Sequence, residues 1–402
     1  MARALVIGAG IAGTVAAIAL QKAGLEPVLY EAYDRTADGI GNFVNIAPNG
    51  IDALDSIDVG HLVREHGFDT PAIAFYSHTG RPLTGDVRTD RLAADGQIIQ
   101  TIRRSDLYMA LRDEAAKRGI PIEYGKRIVD ATTEHGTVRA VFADETHAEG
   151  DLLVGADGLR SRVRRVIDPA APVPRYLGVL NAFGCARGFP TDGPAGVIRM
   201  FFGKKSFFSY TKHPNGDLWW FANPPCTGEP DSAQLRALRQ DWRRYLQDLF
   251  AADRSPAAEI IAATPDPAPP SPTYDLPRVP RWHRDGGLVV IGDAAHAVSP
   301  TAGQGCSVAM EDAVVLAKCL RDAPSTDQAF VTYESVRRKR VEDIVAQGKY
   351  NNEGNMRRGP IGRSLRNYFI ARAFKSADGS DPTWMSSHHI DWHAPQTEES
   401  TR

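Results

Sequence analysis

The chain is 402 residues long, more than one compact core holds, and predicts two or three domains. An apolar fraction of 43% and a charged fraction of 24% are ordinary for a water-soluble globular protein, and a net charge of −2 gives no electrostatic reason to expect nucleic acid or an anionic membrane as partner. Cys185, Cys226, Cys306 and Cys319 are scattered and form no Cys-x-x-Cys, which argues against a disulfide framework, a metal site and a dithiol redox centre; a reducing cytoplasm is the expected setting.

The first apolar run, between Arg3 and Gln21, holds about 16 weakly apolar residues broken by Gly8, Gly10 and Gly13, fewer than the ~20 of a spanning helix. It continues directly into a second apolar strand ended by an acid, which disfavours a secretory signal. Residues 3–7 predict a strand, Gly8-Ala-Gly10-Ile11-Ala12-Gly13 a turn, residues 11–23 a buried helix and residues 26–31 the next strand. In this geometry Gly8 allows the tight turn, Gly10 lets a pyrophosphate approach the backbone, and Gly13 lets helix and strand pack closely. The phosphate then meets the unpaired N–H groups of the helix. Glu31 stands where a carboxylate accepts from the hydroxyls of an adenosine ribose and repels a 2′-phosphate. The stretch therefore predicts a dinucleotide site and leaves NAD and FAD both open.

Further along, residues 71–100 and 176–225 alternate, are rich in aromatics and are punctuated by turns, with Lys212–Asp217 as a hairpin. Met200, Phe202, Phe208, Tyr210, Trp220 and Ala222 are expected by alternation to line a substrate site, the competing reading being plain sheet core. Residues 151–166 predict a strand followed by Asp157-Gly158, Ser161 and Arg164. A helix is expected over 231–250, and the proline-rich 265–280 excludes helix or central strand there. Residues 286–320 predict a buried strand, Gly292-Asp293 at its carboxyl end, a loop Pro300-Thr-Ala302-Gly303-Gln304-Gly305 and a long helix. Ligands of open α/β sheets bind beyond such carboxyl ends. Asp293 can accept from a ribityl hydroxyl, and the loop can offer N–H groups to a flavin ring. Arg337–Arg340 read as a solvated helix, residues 345–375 as helix with glycine breaks over the substrate entrance, and His388, His389 and His393 as part of a frayed tail rather than a metal site.

With these motifs in order, the chain resembles the class A flavoprotein aromatic monooxygenases, the family of p-hydroxybenzoate and salicylate hydroxylases. GAGIAG with Glu31 looks like that family's ADP-binding fingerprint, DGLRSRVR (157–164) like its D-G-x-x-S-x-x-R motif, and GDAAHAVSPTAGQG (292–305) with Glu311-Asp312 like its flavin-holding segment. The resemblance implies bound FAD and adds Cys306 beside the ring loop, Arg104 at the ribityl or phosphate region, and Gly41 close to the flavin ring. Ala32 stands where the family often has a basic residue, and Arg35 is the expected substitute. His296 is read first as structural, a general base being the lesser reading.

The implied fold is α/β: a Rossmann-like FAD-binding domain with a mostly parallel sheet (residues 1–70, 101–175 and 276–340), a second domain with an antiparallel or mixed sheet (71–100 and 176–275), C-terminal helices (341–385) and a flexible tail (386–402). The implied activity is hydroxylation or epoxidation: NADPH or NADH reduces FAD, O2 adds at flavin C4a as a hydroperoxide, and one oxygen passes to an aromatic or polycyclic small molecule. With a single Rossmann fingerprint the nicotinamide nucleotide is a visitor, and Arg164 and its neighbours are candidates to attract its phosphates. Natural-product metabolism such as antibiotic biosynthesis, and a monomer or homodimer, complete the expectation. A reductase, a halogenase (although no W-x-W-x-I-P occurs) and a non-redox FAD-containing cyclase or ligand binder are the rivals. No carboxylate clamp is evident, so a bulky neutral substrate is expected.

Overall fold

The opening run forms β1 (Arg3–Ile7), buried on both faces from Ala4 onward, as a continuous apolar strand inside a parallel sheet must be. The structure is a computed structural model and describes residues 1–34, 42–92, 96–355, 359–375 and 382–396. Arg35 and Gly41 lie outside the described residues.

After β1 come α1 (Ile11–Lys22), β2 (Glu26–Tyr30), β3 (Phe43–Ile46), α2 (Pro48–Asp55), α3 (Gly60–His66) and β4 (Phe68–Thr70). The chain then gives β5 (Ala72–Ser77) and β6 (Val87–Arg88) to a second sheet and returns through β7 (Ile99–Arg103), α4 (Arg104–Lys117) and β8 (Ile122–Glu123). A meander of β9 (Ile128–Glu134), β10 (Thr137–Phe142) and β11 (His147–Gly150) precedes β12 (Leu152–Gly155) and α5 (Arg162–Ile167). The second sheet is built mainly from β13 (Arg175–Ala186), β14 (Ile198–Phe202), β15 (Phe207–Lys212) and β16 (Leu218–Asn223). Three helices, α6 (Ser232–Gln240), α7 (Trp242–Phe250) and α8 (Ala257–Ala262), then lead to β17 (Ser271–Asp275). The chain finishes with β18 (His283–Arg284), β19 (Leu288–Val290), α9 (Asp293–His296), α10 (Gly305–Asp322), α11 (Thr326–Asn355) and α12 (Pro360–Lys375).

The first sheet has the order β18-β19-β12-β1-β2-β8, parallel throughout except for β18. With α1 packed on it and α10 packed in turn on α1, this is the Rossmann-like layer expected. Because β19, β12 and β1 are neighbours running the same way, the turns at their carboxyl ends emerge side by side. The second sheet runs β17-β13-β16-β15-β14-β5-β6 and is antiparallel but for the parallel pair β14–β5. Pro272 sits in β17, an edge strand, where a missing N–H costs no ladder bond.

Three expectations need correction. The helix expected over 231–250 is two: Asp231 caps α6 through a capping box, and the chain breaks at Asp241. The solvated reading of Arg337–Arg340 fails for two of its members. Arg337 is 1% exposed and pairs with Glu311 and Asp312, and Arg340 also grips Glu311. The tail is not frayed over its described part. Ile390 and Trp392 are buried, His389 Nδ1 lies 2.6 Å from Asp52 Oδ1, the Ile390 N–H donates to Asp52 Oδ2 at 2.8 Å, and Lys318 and Arg321 donate to the carbonyls of Asp391 and Trp392.

Candidate active site

Glycine positions distinguish what the fold needs from what a ligand needs. Gly8 has φ +99°, and a Cβ there would lie 2.5 Å from the Ala156 carbonyl oxygen. A Cβ on Gly13 would lie 1.8 Å from the Gly8 oxygen. Both are demanded by packing. Gly10 has an ordinary φ of −73°, and a Cβ there meets nothing within 4 Å, so the protein itself has no use for that space. Gly10 is also the N-cap of α1, which has no side-chain cap and no acid in its first turn. Its first N–H groups and the positive helix end therefore face open ground, the setting for a pyrophosphate. Ile11 and Ala12 stand half-buried in that first turn.

Glu31 is 7% exposed and tightly held. Its Oε2 accepts from the Ala9 N–H at 2.9 Å and lies 3.3 Å from Arg112 Nη2, while Oε1 accepts from the Tyr33 N–H at 3.1 Å. Arg112 Nε also donates to the Ala9 carbonyl at 3.0 Å, so one buried arginine locks the acid to the glycine turn. The next residue, Ala32, is half-buried. No local motif marks Arg112, which reaches Glu31 from α4.

Beyond β12, Asp157 accepts from Ser161 Oγ at 2.5 Å and from the N–H groups of Arg162 and Val163 at 2.6 and 3.1 Å. Burial nevertheless pushes its carboxyl up. Arg164 is placed otherwise than expected. It is 2% exposed, with Nη1 donating to the Ala294 carbonyl and Nη2 to the Leu159 carbonyl, both at 2.9 Å. Arg164 therefore ties the second turn to the third and is not open to a visiting phosphate.

Beyond β19, Gly292 (φ +58°) donates to Asp312 Oδ2 at 3.0 Å, and its missing Cβ makes room for Ala309 and Ala12. Asp293 is exposed to the open ground yet hemmed in closely enough that burial raises its carboxyl, opposed by the charge of Arg104. Arg104 acts likewise on Cys306, whose thiol burial pushes up to about 12, so Arg104, Asp293 and Cys306 share one neighbourhood. Pro300–Ala302 make a 3-10 turn, Gly303 takes φ +64°, and Gln304 caps α10. A Cβ on Gly303 would meet nothing within 4 Å, and one on Gly305 only Val298 at 4.0 Å. Again an 18-residue helix presents an N-terminus with no acid and no side-chain cap. The loop is braced from behind: Thr301 Oγ1 donates to the Gly348 carbonyl at 2.8 Å, and Asn49 Nδ2 donates to Gln304 Oε1 at 3.0 Å.

Beneath this loop lies a buried ion network. Glu311 and Asp312 are fully buried; Arg337 Nη1 lies 2.6 Å from Glu311 Oε2, and Arg337 Nε donates to Asp312 Oδ1 at 2.8 Å. Arg340 reaches both oxygens of Glu311, and His296 Nε2 bonds Asp312. His296 is 5% exposed and packs on Trp282, which makes it structural, as expected. Arg337 and Arg340 hold the Glu311 carboxyl far below its ordinary value despite burial.

The second sheet has two apolar faces. Phe208, Tyr210, Trp220 and Ala222 pack in a core with Trp242, Leu246, Phe250 and Ile260, and Trp220 Nε1 donates to Thr264 Oγ1 at 2.8 Å. These four, expected at the substrate, thus face away from the first domain. The opposite face bears Met200, Phe202, Phe207, Ser209, Phe221 and Trp219. It turns to the first domain, since the Trp219 ring lies 5.9 Å from that of Phe43 and 5.4 Å from that of Phe68. Met200, Phe207 and Phe221 are only half-buried there, leaving an aromatic ceiling with free surface. Of the six alternation candidates, Met200 and Phe202 lie on this face.

Three turns at one end of a parallel sheet, two bare helix N-termini and unfilled space before their glycines define a flavoprotein-type dinucleotide site. A model of the FAD-binding domain family matches residues 1–348, and the chain belongs to that family. It is 28% identical over 349 residues to the FAD-dependent urate hydroxylase of Klebsiella pneumoniae, covering 86% of this chain and 88% of that one. It is 29% identical to the aurachin C monooxygenase/isomerase of Stigmatella aurantiaca, covering 89% of each. The crystal structure of Klebsiella pneumoniae HpxO with FAD and uric acid superposes with a TM-score of 0.84 at 26% identity, covering 96% of this chain and 97% of that one. Among the described residues no cluster of metal ligands occurs, and no helix is long and apolar enough to cross a membrane.

Proposed function

We propose that this protein is an FAD-dependent monooxygenase that uses NADPH or NADH and O2 to hydroxylate an aromatic or heteroaromatic small molecule. The observation that carries the reading is that the second sheet turns a half-exposed aromatic face, with Met200, Phe207 and Phe221, to the domain that carries the bare loop Pro300 to Cys306. When bound, FAD supplies the two-electron reduction and oxygen transfer that no side chain performs. Everything else is positioning. Gly10 and the α1 N-terminus take the pyrophosphate, Glu31 the ribose, and Asp293 with Arg104 the ribityl chain. The N–H groups opening α10 stabilise negative charge at the edge of the flavin ring that meets them. The faces of Phe207, Phe221 and Met200 exclude water and press a flat substrate into place. Asp157 and Arg164 keep the turns in register.

The test is oxygen consumption and NAD(P)H oxidation by the FAD-loaded protein over a panel of aromatic compounds, with 18O2 as the oxygen source. A compound that accelerates NAD(P)H oxidation and leaves carrying one labelled oxygen supports the proposal. Turnover that proceeds without O2 favours the reductase, and turnover that survives 5-deaza-FAD favours a non-redox role.

A further inference from the structure

The loop from Pro300 to Gly305 is seated through one buried amide. Asn49, in the first turn of α2, is fully buried, and its Nδ2 donates to Gln304 Oε1 at 3.0 Å and to Glu311 Oε1 at 2.5 Å. Gln304 caps α10 where that loop ends, and Glu311 lies two turns further along the same helix. Ser307 fills the gap between them: its Oγ accepts from the Ala47 N–H at 3.1 Å, and a Cβ on Gly50 would lie 2.6 Å from the same oxygen. The opening of α2 thus rests directly on the opening of α10. Any slip of one helix along the other displaces the cap of the helix whose free N–H groups face the flavin.

The C-terminal segment grips these same two helices. Asp52, one turn beyond Asn49 on α2, accepts from the Ile390 N–H at 2.8 Å and lies 2.6 Å from His389 Nδ1. Arg340 donates to the carbonyls of Trp384 and Met385 at 2.9 and 2.7 Å while it holds both oxygens of Glu311. At the far end of α10, Lys318 and Arg321 donate to the carbonyls of Asp391 and Trp392, and Lys22 and Arg321 stand 5.3 and 5.0 Å from the centre of the Trp392 ring. Residues 384–392 therefore strap α1, α2, α10 and α11 together. The strap is held by side chains on its backbone and by the burial of Ile390 and Trp392, without a strand ladder. A segment held in this way opens at a lower free energy than the sheet beneath it.

We infer that Asn49 is a positioning residue for the flavin loop and that the docked strap sets it, so that strap docking and FAD binding favour each other. Docked, the strap fixes Asp52 and Glu311 at the spacing over which Asn49 bridges Glu311 and Gln304. A loop fixed by bound FAD holds Gln304 in that same place, and the coupling is reciprocal by thermodynamic necessity. The inference rests on FAD binding and not on the proposed reaction.

Two measurements on the full chain test it. The first is hydrogen exchange of the wild-type protein. Without FAD the Ile390 amide should exchange faster than the amides of β1, and saturating FAD should slow it tenfold or more. The second is a cycle of FAD dissociation constants from fluorescence quenching for wild type, Trp392→Ala, Asn49→Ala and the double variant. Trp392 lies beside Arg321, roughly 25 Å along α10 from Gln304, yet Trp392→Ala should weaken FAD about tenfold. Asn49→Ala should weaken it at least as much and shift the absorption bands of the bound flavin, and adding Trp392→Ala should then cost little more. An Ile390 amide that exchanges no faster than β1, or that ignores FAD, would overturn the inference, and this arm needs no variant to fold. An unchanged dissociation constant in Trp392→Ala, or losses that simply add in the double variant, would overturn it too. Failure of oxygen incorporation with this cycle intact would strike the proposed reaction and leave the coupling standing.

Discussion

Gly10→Ala and Gly13→Ala make a matched pair that separates a ligand's demand from the fold's. In Gly10→Ala the new methyl enters space where nothing lies within 4 Å, at a φ of −73° that alanine adopts freely. The ligand-free protein should lose about 1 kcal/mol or less, the difference between glycine and alanine as an N-cap. FAD affinity should fall far more, because the methyl occupies the path of the pyrophosphate to the α1 N–H groups. Loss of about 3 kcal/mol of that contact is roughly a hundredfold in Kd. Gly13→Ala reverses the pattern: its Cβ would stand 1.8 Å from a backbone oxygen, which must move, at a cost of about 3 kcal/mol or more. Urea melts of the apoprotein and fluorescence-quenching titrations with FAD measure the two quantities. The reasoning is refuted if Gly10→Ala binds FAD like the wild type, or if it unfolds as readily as Gly13→Ala.

Trp220→Ala should cost about 3–5 kcal/mol in urea unfolding, since the ring is fully buried and Thr264 loses its donor, whereas Phe221→Ala should cost less and change substrate KM; equal effects would remove the assignment of the two sheet faces. Arg337→Met should destabilise by about 3–5 kcal/mol by leaving Glu311 and Asp312 short of a cation, again read from urea melts, and a loss under 1 kcal/mol would refute the network's importance. His388 is lowered from its ordinary 6.5 to about 4 by burial, with Arg337 and Arg340 in the same direction and Glu311 opposed. Between those values the unfolded chain binds the extra proton, so this group makes stability fall as pH drops from about 6.5 to about 4. His388→Gln should flatten that part of the stability–pH profile, and an unchanged slope would refute the burial of the docked tail around it.

The parts legible in the sequence are those whose physics is local. Gly8, Gly10 and Gly13 act within one turn, and Asp157 and Asp293 come after strands that declare themselves by apolar runs, so their order along the chain implied their meeting in space. What escaped is set by distant partners. Arg112 and Glu31 are joined across β2 and α4, and Arg337 is an ordinary helical arginine until Glu311 and Asp312 are brought beneath it. The tail from His388 to Trp392 is polar in composition, and it is ordered by the grips of Asp52, Lys318 and Arg321 together with the burial of Ile390 and Trp392.

The second sheet failed for a different reason. Alternation fixes which residues share a face but not which face is which, and IRMFF in β14 or LWWFAN in β16 is apolar on both. A single cross-domain contact resolves the parity: once Trp219 is set against Phe43 and Phe68, its β16 neighbour Trp220 must face α7 and α8, and the register carries Phe208, Tyr210 and Ala222 with it. A sheet greasy on both sides has two cores to serve. Here one is filled by Leu246, Phe250 and Ile260, while on the other Met200, Phe207 and Phe221 keep surface free. Residual exposure of aromatics on a face that otherwise packs against a second domain is what separates the wall of a binding cavity from the wall of a core.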